Sequence, residues 1–369
     1  MDKPTTQPYR SERLLSLDFM RGFIMVLLAL ESTGLSEHLA TVTNGTPLHF
    51  FIQQFFHHPW NGLRFWDLVQ PAFMFMAGAA MALSIEKQKK QGLPWQQSFK
   101  KILKRCFLLF FFGVLDYAVR PHGLSFELWD VLTQLSFTTL VAFLIFDWRP
   151  AAQIVFCGLL LIITEILYRY TNIPGFDQPF TNQHNFGNYV DLLLMNKINS
   201  DGWVAINCIP TAVHTIAGAL AGKLLLTDKP KVRILVLWGV IVMIAGYGLD
   251  LAGISPIIKR IATSSFTLAS LGWCLWGLAV CYWWIDELNH KKHLKFFTIV
   301  GMNSIFIYLF FEIVGHRWFN GYVTAITTGL LSLIGTPEII QLIVASLFIF
   351  ALEWGLCYFL YKKKVFFKL

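Results

Sequence analysis

The sequence predicts an all-α, polytopic transmembrane helical bundle of about ten spans, held in a single domain over residues 1–369. Three observations predict it. Of the 369 residues, 55% are hydrophobic and 16% aromatic, and only 14% are charged, whereas an average soluble domain is about 25% charged. Mean hydropathy is +0.54. Apolar runs of about 20 residues recur along the whole chain, each long enough to cross a hydrocarbon core of about 30 Å. Together these exclude a disordered chain, a disulfide-stapled secreted domain and a soluble two-domain enzyme.

The first run, 17–36, carries Asp18 and Arg21 three apart on one helix face, placed to pair, with Glu31 and Ser32 near its far end. Those early charges, and the further spans behind it, make it a retained helix. The second, 66–84, follows His57-His58-Pro59-Trp60-Asn61-Gly62 and opens on Asp67. Runs 103–119, 127–147 and 151–170 come next, the last with Glu165. Then follow 204–225 with His214, 233–252 with Asp250, 264–285, 296–315 with Asn303 and Glu312, and 338–361 with Glu353. The apolar stretch 321–334 lies between the turn-like Asn320-Gly321 and Gly335-Thr336-Pro337. It is too short to span and reads as a re-entrant or interfacial piece.

Charge placement orients the bundle. With both termini in the cytoplasm, 22 Lys and Arg residues fall inside and seven outside, Arg21 lying within the first span. The inner set begins with Lys3, Arg10 and Arg13 and ends with Lys362, Lys363, Lys364 and Lys368. Such an excess marks the cytoplasmic side, so the net charge of +8 reports topology, and nucleic-acid binding is not expected from charge this dispersed.

The longest outer loops, 37–65 and 171–203, are rich in His, Asn, Asp, Gly and aromatics. Polar, aromatic loops over a bundle suit either recognition of a polar ligand or extracytoplasmic packing. Ionisable groups inside spans are costly and face a cavity or a partner, which suits proton transfer or proton-coupled transport. The six cysteines, Cys106, Cys157, Cys208, Cys274, Cys281 and Cys357, form no CxxC pair and read as small buried hydrophobes. Adjacent His57 and His58 are poorly placed as two ligands of one metal, and no metal is expected.

Several stretches together resemble the heparan-α-glucosaminide N-acetyltransferase family, bacterial relatives included. Arg13-Leu14-Leu15-Ser16-Leu17-Asp18 with Arg21-Gly22 is similar to its first-span signature. His57-His58-Pro59-Trp60-Asn61-Gly62-Leu63, then Asp67-Leu68-Val69-Gln70-Pro71 and Phe73-Met74-Phe75-Met76-Ala77-Gly78, resemble its His-x-x-Trp-Asn-Gly and Asp-Leu-x-x-Pro-x-Phe-x-Phe-x-x-Gly pattern. Tyr189-Val190-Asp191, Ile209-Pro210-Thr211 with Ala217–Gly222, Lys259 with Ser265-Phe266, and Gly301-Met302-Asn303-Ser304-Ile305 with Tyr308 and Glu312 continue the likeness in order, to Tyr361–Phe366. The chain departs from the family at Ser32, which with Glu31 before it stands where Asn is usual, at Thr133-Gln134, at Ile258 and Ala262, and at Phe311, where a His precedes the late Glu.

The resemblance implies transfer of an acetyl group from cytoplasmic acetyl-CoA, as co-substrate, to an amino sugar across the membrane, in a bacterial inner membrane. The implied partners are a small-molecule sugar, acetyl-CoA and membrane lipid; a homodimer is left open. It points to His57 as the catalytic histidine, a general base or the carrier of an acetyl-imidazole. Asp67 orients a histidine or holds the substrate ammonium. Asn303 and Asn61 are placed either to donate to a developing oxyanion or, for Asn303, to bond helix to helix. Glu31, Ser32 and Glu312 are further substrate-binding candidates. Lys259 binds an anionic substrate or sits among outer headgroups, and Lys104 and Arg105 meet the CoA phosphates or are ordinary positive-inside residues. The rival class is a transporter or flippase of a polar sugar or lipid-linked intermediate. Against it, the two halves of the chain show no clear internal repeat.

Overall fold

The computed structural model describes residues 14–120 and 123–367. Lys3, Arg10, Arg13 and Lys368, counted above among the inner charges, lie outside the described residues. The described chain is all helical, with one isolated antiparallel bridge, Asn61 to Ile258, and no other strand pairing.

The helices of eight or more residues are α1 (Leu15–Ser32), α2 (Leu35–Thr43), α3 (Phe65–Lys90), α4 (Trp95–Ala118), α5 (Val131–Leu144), α6 (Pro150–Tyr170), α7 (Phe186–Met195), α8 (Ala205–Leu225), α9 (Lys231–Leu251), α10 (Ser264–Glu287), α11 (Lys295–Met302), α12 (Ser304–Ser332) and α13 (Glu338–Lys362). Each of the ten apolar runs is helical. Among the described residues, six helices are long and apolar enough to cross a membrane: α3, α6, α8, α9, α10 and α13. Three others miss for physical reasons. Helix α1 carries Asp18, Arg21 and Glu31, α4 opens on a cluster of lysines, and α5 has only 14 residues.

The run 296–315 departs from a straight span. Helices α11 and α12 meet at Asn303 with a bend of 76°. Asn303 breaks the helix at φ −120° and ψ 34°, and its amide clasps the carboxy-terminal segment. Beyond the bend α12 runs through a π-helical stretch, Phe311–Phe319, and on to Ser332. The turn expected at Asn320-Gly321 is therefore absent. Asn320 is helical (φ −60°, ψ −42°), and its Nδ2–H donates to the Ser32 carbonyl at 2.9 Å. That long-range bond outweighs the local turn preference of an Asn-Gly pair.

Burial separates centre from rim. The most apolar stretches of α3, α8 and α10 are 61%, 67% and 56% buried, against 22%, 17% and 22% for α6, α9 and α13. The rim helices turn Ile162, Ile244 and Phe348 outward, as lipid-facing helices do. At the centre, α3 and α8 cross almost backbone to backbone. A Cβ on Gly78 would stand 1.9 Å from the Thr215 carbonyl oxygen, and one on Gly218 1.9 Å from that of Phe75. Small residues at such crossings permit the close packing that drives helix association in lipid. Met74, Phe75, Leu109, Leu132 and Leu278 fill the space around this crossing, and the site described next lies at the end of α3 where the chain enters it.

Candidate functional site

Between α2 and α3 the chain follows the polar loop that the sequence singles out. The loop 252–263, between α9 and α10, lies against it. Gly62 N–H donates to the Ile257 carbonyl at 2.8 Å, beside the Asn61–Ile258 bridge, and the Arg260 guanidinium donates to the Pro59 carbonyl at 3.0 Å. Gly62 sits at φ +141°, and a Cβ there would stand 2.6 Å from His58 Nε2; only glycine lets the loop fold over that ring. This clamp brings Lys259 to the histidine loop across 202 positions of sequence.

Asp67 anchors the centre of the site and is 1% exposed. Its Oδ2 accepts the backbone N–H groups of Arg64 at 2.9 Å and His58 at 3.2 Å. Its Oδ1 faces His57 Nδ1 at 3.1 Å. Lys259 Nζ lies 3.1 Å from the same Nδ1 and 3.8 Å from Asp67 Oδ1. Nδ1 cannot give a proton to the carboxylate and receive one from the ammonium at once. The carboxylate, fixed by two backbone donors, assigns the tautomer: Nδ1–H donates to Asp67, Lys259 serves as counter-charge to Asp67, and Nε2 keeps its lone pair. Trp203 closes over both groups, edge-on to His57 at 5.8 Å and 5.4 Å from Lys259 Nζ.

Burial holds His57 below the ordinary histidine pKa, Lys259 pushes it further down, and Asp67 opposes both. The ring is therefore neutral, and a proton acceptor, at neutral pH. Burial also brings Lys259 down to about 8, with Asp67 pulling the other way. His58 is lowered as well, by burial and then by Arg64.

His57, with 39% of its side chain accessible, lines a cavity of about 250 Å³ together with Glu31, Lys259 and Glu312. The structure thus brings four of the candidate residues to one space, with Asp67 directly behind His57. The others lie elsewhere. Ser32 is buried, and its hydroxyl donates to the Ala29 carbonyl of its own helix at 2.8 Å. Asn61 is exposed and pairs through its backbone. Asn303 donates to the Val365 carbonyl at 3.2 Å and accepts Phe367 N–H at 3.0 Å, so its amide is occupied by the carboxy-terminal segment, and it does not line the cavity. Lys104 is exposed and Arg105 half-buried on α4, and neither lines the cavity.

Other walls were not read as a site from the sequence. Tyr308 O–H donates to Asp130 Oδ2 at 2.8 Å, while Asp130 Oδ1 caps α5 through Leu132 N–H at 2.7 Å. Arg120 pairs with Asp116 at 2.9 Å and lies 3.6 Å over the Tyr117 ring. Trp129 Nε1–H donates to Asp191 at 2.9 Å, and the other oxygen of Asp191 accepts Ala205 N–H at 2.9 Å. Asp191 is fully buried, and burial raises its pKa to about 7. An aspartate placed just before an apolar run was a signal for Asp130; for Arg120 and Trp203 no local pattern existed. Among the described residues no group of three or more His, Cys, Asp or Glu side chains is placed to hold an ion.

Comparison with known proteins places this geometry in a family. The chain is 24% identical over 438 aligned positions to the heparan-alpha-glucosaminide N-acetyltransferase of Mus musculus, covering 100% of this chain and 62% of that protein. It is 24% identical over 429 positions to the Homo sapiens protein of the same name, covering 97% and 60%. The chain thus spans about three fifths of the length of these curated relatives. Residues 13–214, which hold the His57–Asp67 pair, match the model of a domain of unknown function, DUF5009, and the chain belongs to that family.

Proposed function

We propose that the chain is a membrane-embedded acetyltransferase that moves an acetyl group from cytoplasmic acetyl-CoA to the amine of a glucosamine-type sugar on the outer side. The observation that carries this reading is the cavity-lining imidazole of His57, whose Nδ1–H is held by buried Asp67 at 3.1 Å. A neutral imidazole with one nitrogen anchored and the other open is the arrangement of a general base. The relatives' names, which describe N-acetyl transfer to a glucosaminide, support the reaction class.

In the proposed step the sugar amine attacks the thioester carbonyl. The new C–N bond forms, the C–S bond breaks, His57 Nε2 takes the amine proton, and the imidazolium returns it to the departing thiolate. Asp67 stabilises the imidazolium through Nδ1. A cavity of about 250 Å³ is smaller than the ~300–1,000 Å³ of pockets that hold drug-sized ligands. It fits one sugar ring and the acetylated end of the donor, with the nucleotide outside it. Lys104 and Arg105 would meet the donor phosphates. The reading includes about ten spans, both termini inside, one domain and a bacterial inner membrane, an orientation supported by the 22-to-7 division of basic residues.

Purified protein supplied with labelled acetyl-CoA and glucosamine is expected to yield labelled N-acetyl sugar and free thiol in equal amounts, and His57→Ala to yield neither. Full transfer by a folded His57→Ala variant overturns the role of His57. Sugar movement across a vesicle membrane without thiol release overturns the enzyme in favour of a transporter.

A further inference from the structure

The cavity contains charges of both signs, and they are unevenly matched. Its cations have partners: Lys259 faces Asp67 at 3.8 Å and Arg120 is bonded to Asp116 at 2.9 Å. Asp130 holds the Tyr308 hydroxyl and the Leu132 N–H. Glu312 has the His316 ring 3.7 Å away. Glu31, near the end of α1, lines the same cavity; its backbone carbonyl accepts Gly34 N–H at 2.9 Å, but among the described residues its carboxyl group has no hydrogen-bond or ion-pair partner. The charges that reach it without contact are His316 and Lys259, of opposite sign, and Glu312 and Glu37, of like sign.

A carboxyl group that lines a cavity with no protein partner is placed to receive a cationic guest. Among the described residues no cation of the cavity wall is left over for an anion. The balance therefore selects one kind of guest: a small molecule with a positive charge and no negative one.

We propose that Glu31 is the specificity-determining residue of the cavity. It binds the ammonium of a monosaccharide-sized amino sugar and discriminates against amino sugars that also bear a sulfate, phosphate or carboxylate. This inference rests on the acetyl-transfer reading for its kinetics but not for its binding. Glu31 acts at capture; the ammonium gives one proton to solvent water before attack, and His57 takes the second as the C–N bond forms.

The test uses the full chain in detergent. Thiol release from acetyl-CoA is measured with glucosamine and with glucosamine 6-sulfate for the native protein, Glu31→Gln and Glu31→Asp. Equilibrium binding of radiolabelled glucosamine, without acetyl-CoA, is measured on the same samples. Native protein is expected to favour glucosamine at least about tenfold in kcat/KM, because the sulfate would stand in the cavity without a counter-charge. Glu31→Gln is expected to raise KM and weaken binding by about tenfold with kcat nearly kept, and Glu31→Asp to recover most of the affinity. Equal use of the sulfated sugar by native protein, or unchanged binding in Glu31→Gln, overturns the proposal. If no amine consumes thioester, the acetyl-transfer reading fails, and the binding arm still decides the role of Glu31.

Discussion

Replacing Asp67 by asparagine keeps the side chain's shape and removes its charge, and the geometry dictates the consequence. Two backbone N–H groups, at 2.9 and 3.2 Å, fix one oxygen of Asp67. In Asp67→Asn the amide oxygen takes that place, which turns the NH₂ toward His57 Nδ1, 3.1 Å away. Two donors cannot face each other, so the ring changes tautomer: Nδ1 becomes the acceptor and Nε2 carries the proton. A base whose lone pair points away from substrate loses about 10⁴ in rate in the comparable aspartate–histidine arrangement of serine proteases, equivalent to about 5 kcal/mol of barrier. The change also strands Lys259, buried with its carboxylate 3.8 Å away. Breaking a buried pair costs about 3–5 kcal/mol, so Tm must be recorded beside the kinetics. The assay is thiol release by Asp67→Asn at pH 7.5, on material that elutes as folded protein. A folded variant that keeps more than a tenth of native kcat/KM would refute the tautomer argument, whatever its Tm.

Three further outcomes are expected. Because His57 lies below its ordinary pKa, the acid limb of kcat/KM falls below pH 6.5, and activity is lost as pH drops through it. Lys259→Met removes one of the causes of that lowering and should move the limb upward in pH, whereas an unmoved limb would separate Lys259 from the base. Gly218→Val drives a side chain into the Phe75 carbonyl at 1.9 Å and should abolish monodisperse protein. Gly158→Ala, on lipid-facing α6 with nothing within 4 Å, should leave Tm unchanged. Asp191→Ala strips the bonds to Trp129 and Ala205 and leaves two buried donors unsatisfied, at a cost of about 1–3 kcal/mol each. It should lower Tm and raise KM for the sugar more than it changes kcat, because Trp129 and Trp203 line the cavity.

The candidate site was legible in proportion to how locally it is built. His57 and Asp67 are ten positions apart in one polar stretch beside an apolar run, and the chain keeps them in hydrogen-bond contact. Glu31 and Glu312 were visible as charges near apolar spans, which lipid forbids unless they face a cavity or partner. Asn303 was visible for the same reason, yet the choice between oxyanion and structural contact depends on what lies opposite, and opposite it lies the carboxy-terminal segment. The turn expected at Asn320-Gly321 had a sound local basis and was overruled by a bond to Ser32, 288 positions away.

By itself the sequence determined that the chain is helical and lies in lipid. Hydropathy and backbone hydrogen bonding act over one helix length, and continuous apolar runs of about 20 residues satisfy their peptide groups in a membrane as helices, where a barrel would need short alternating strands. Tertiary structure alone decided that Lys259 meets His57, that Asn303 does not, and that among the described residues the Glu31 carboxyl group lines the cavity without a partner. Each of those depends on which loops and helix ends the crossings of the bundle press together, and contacts at separations of hundreds of residues leave no periodicity in the chain.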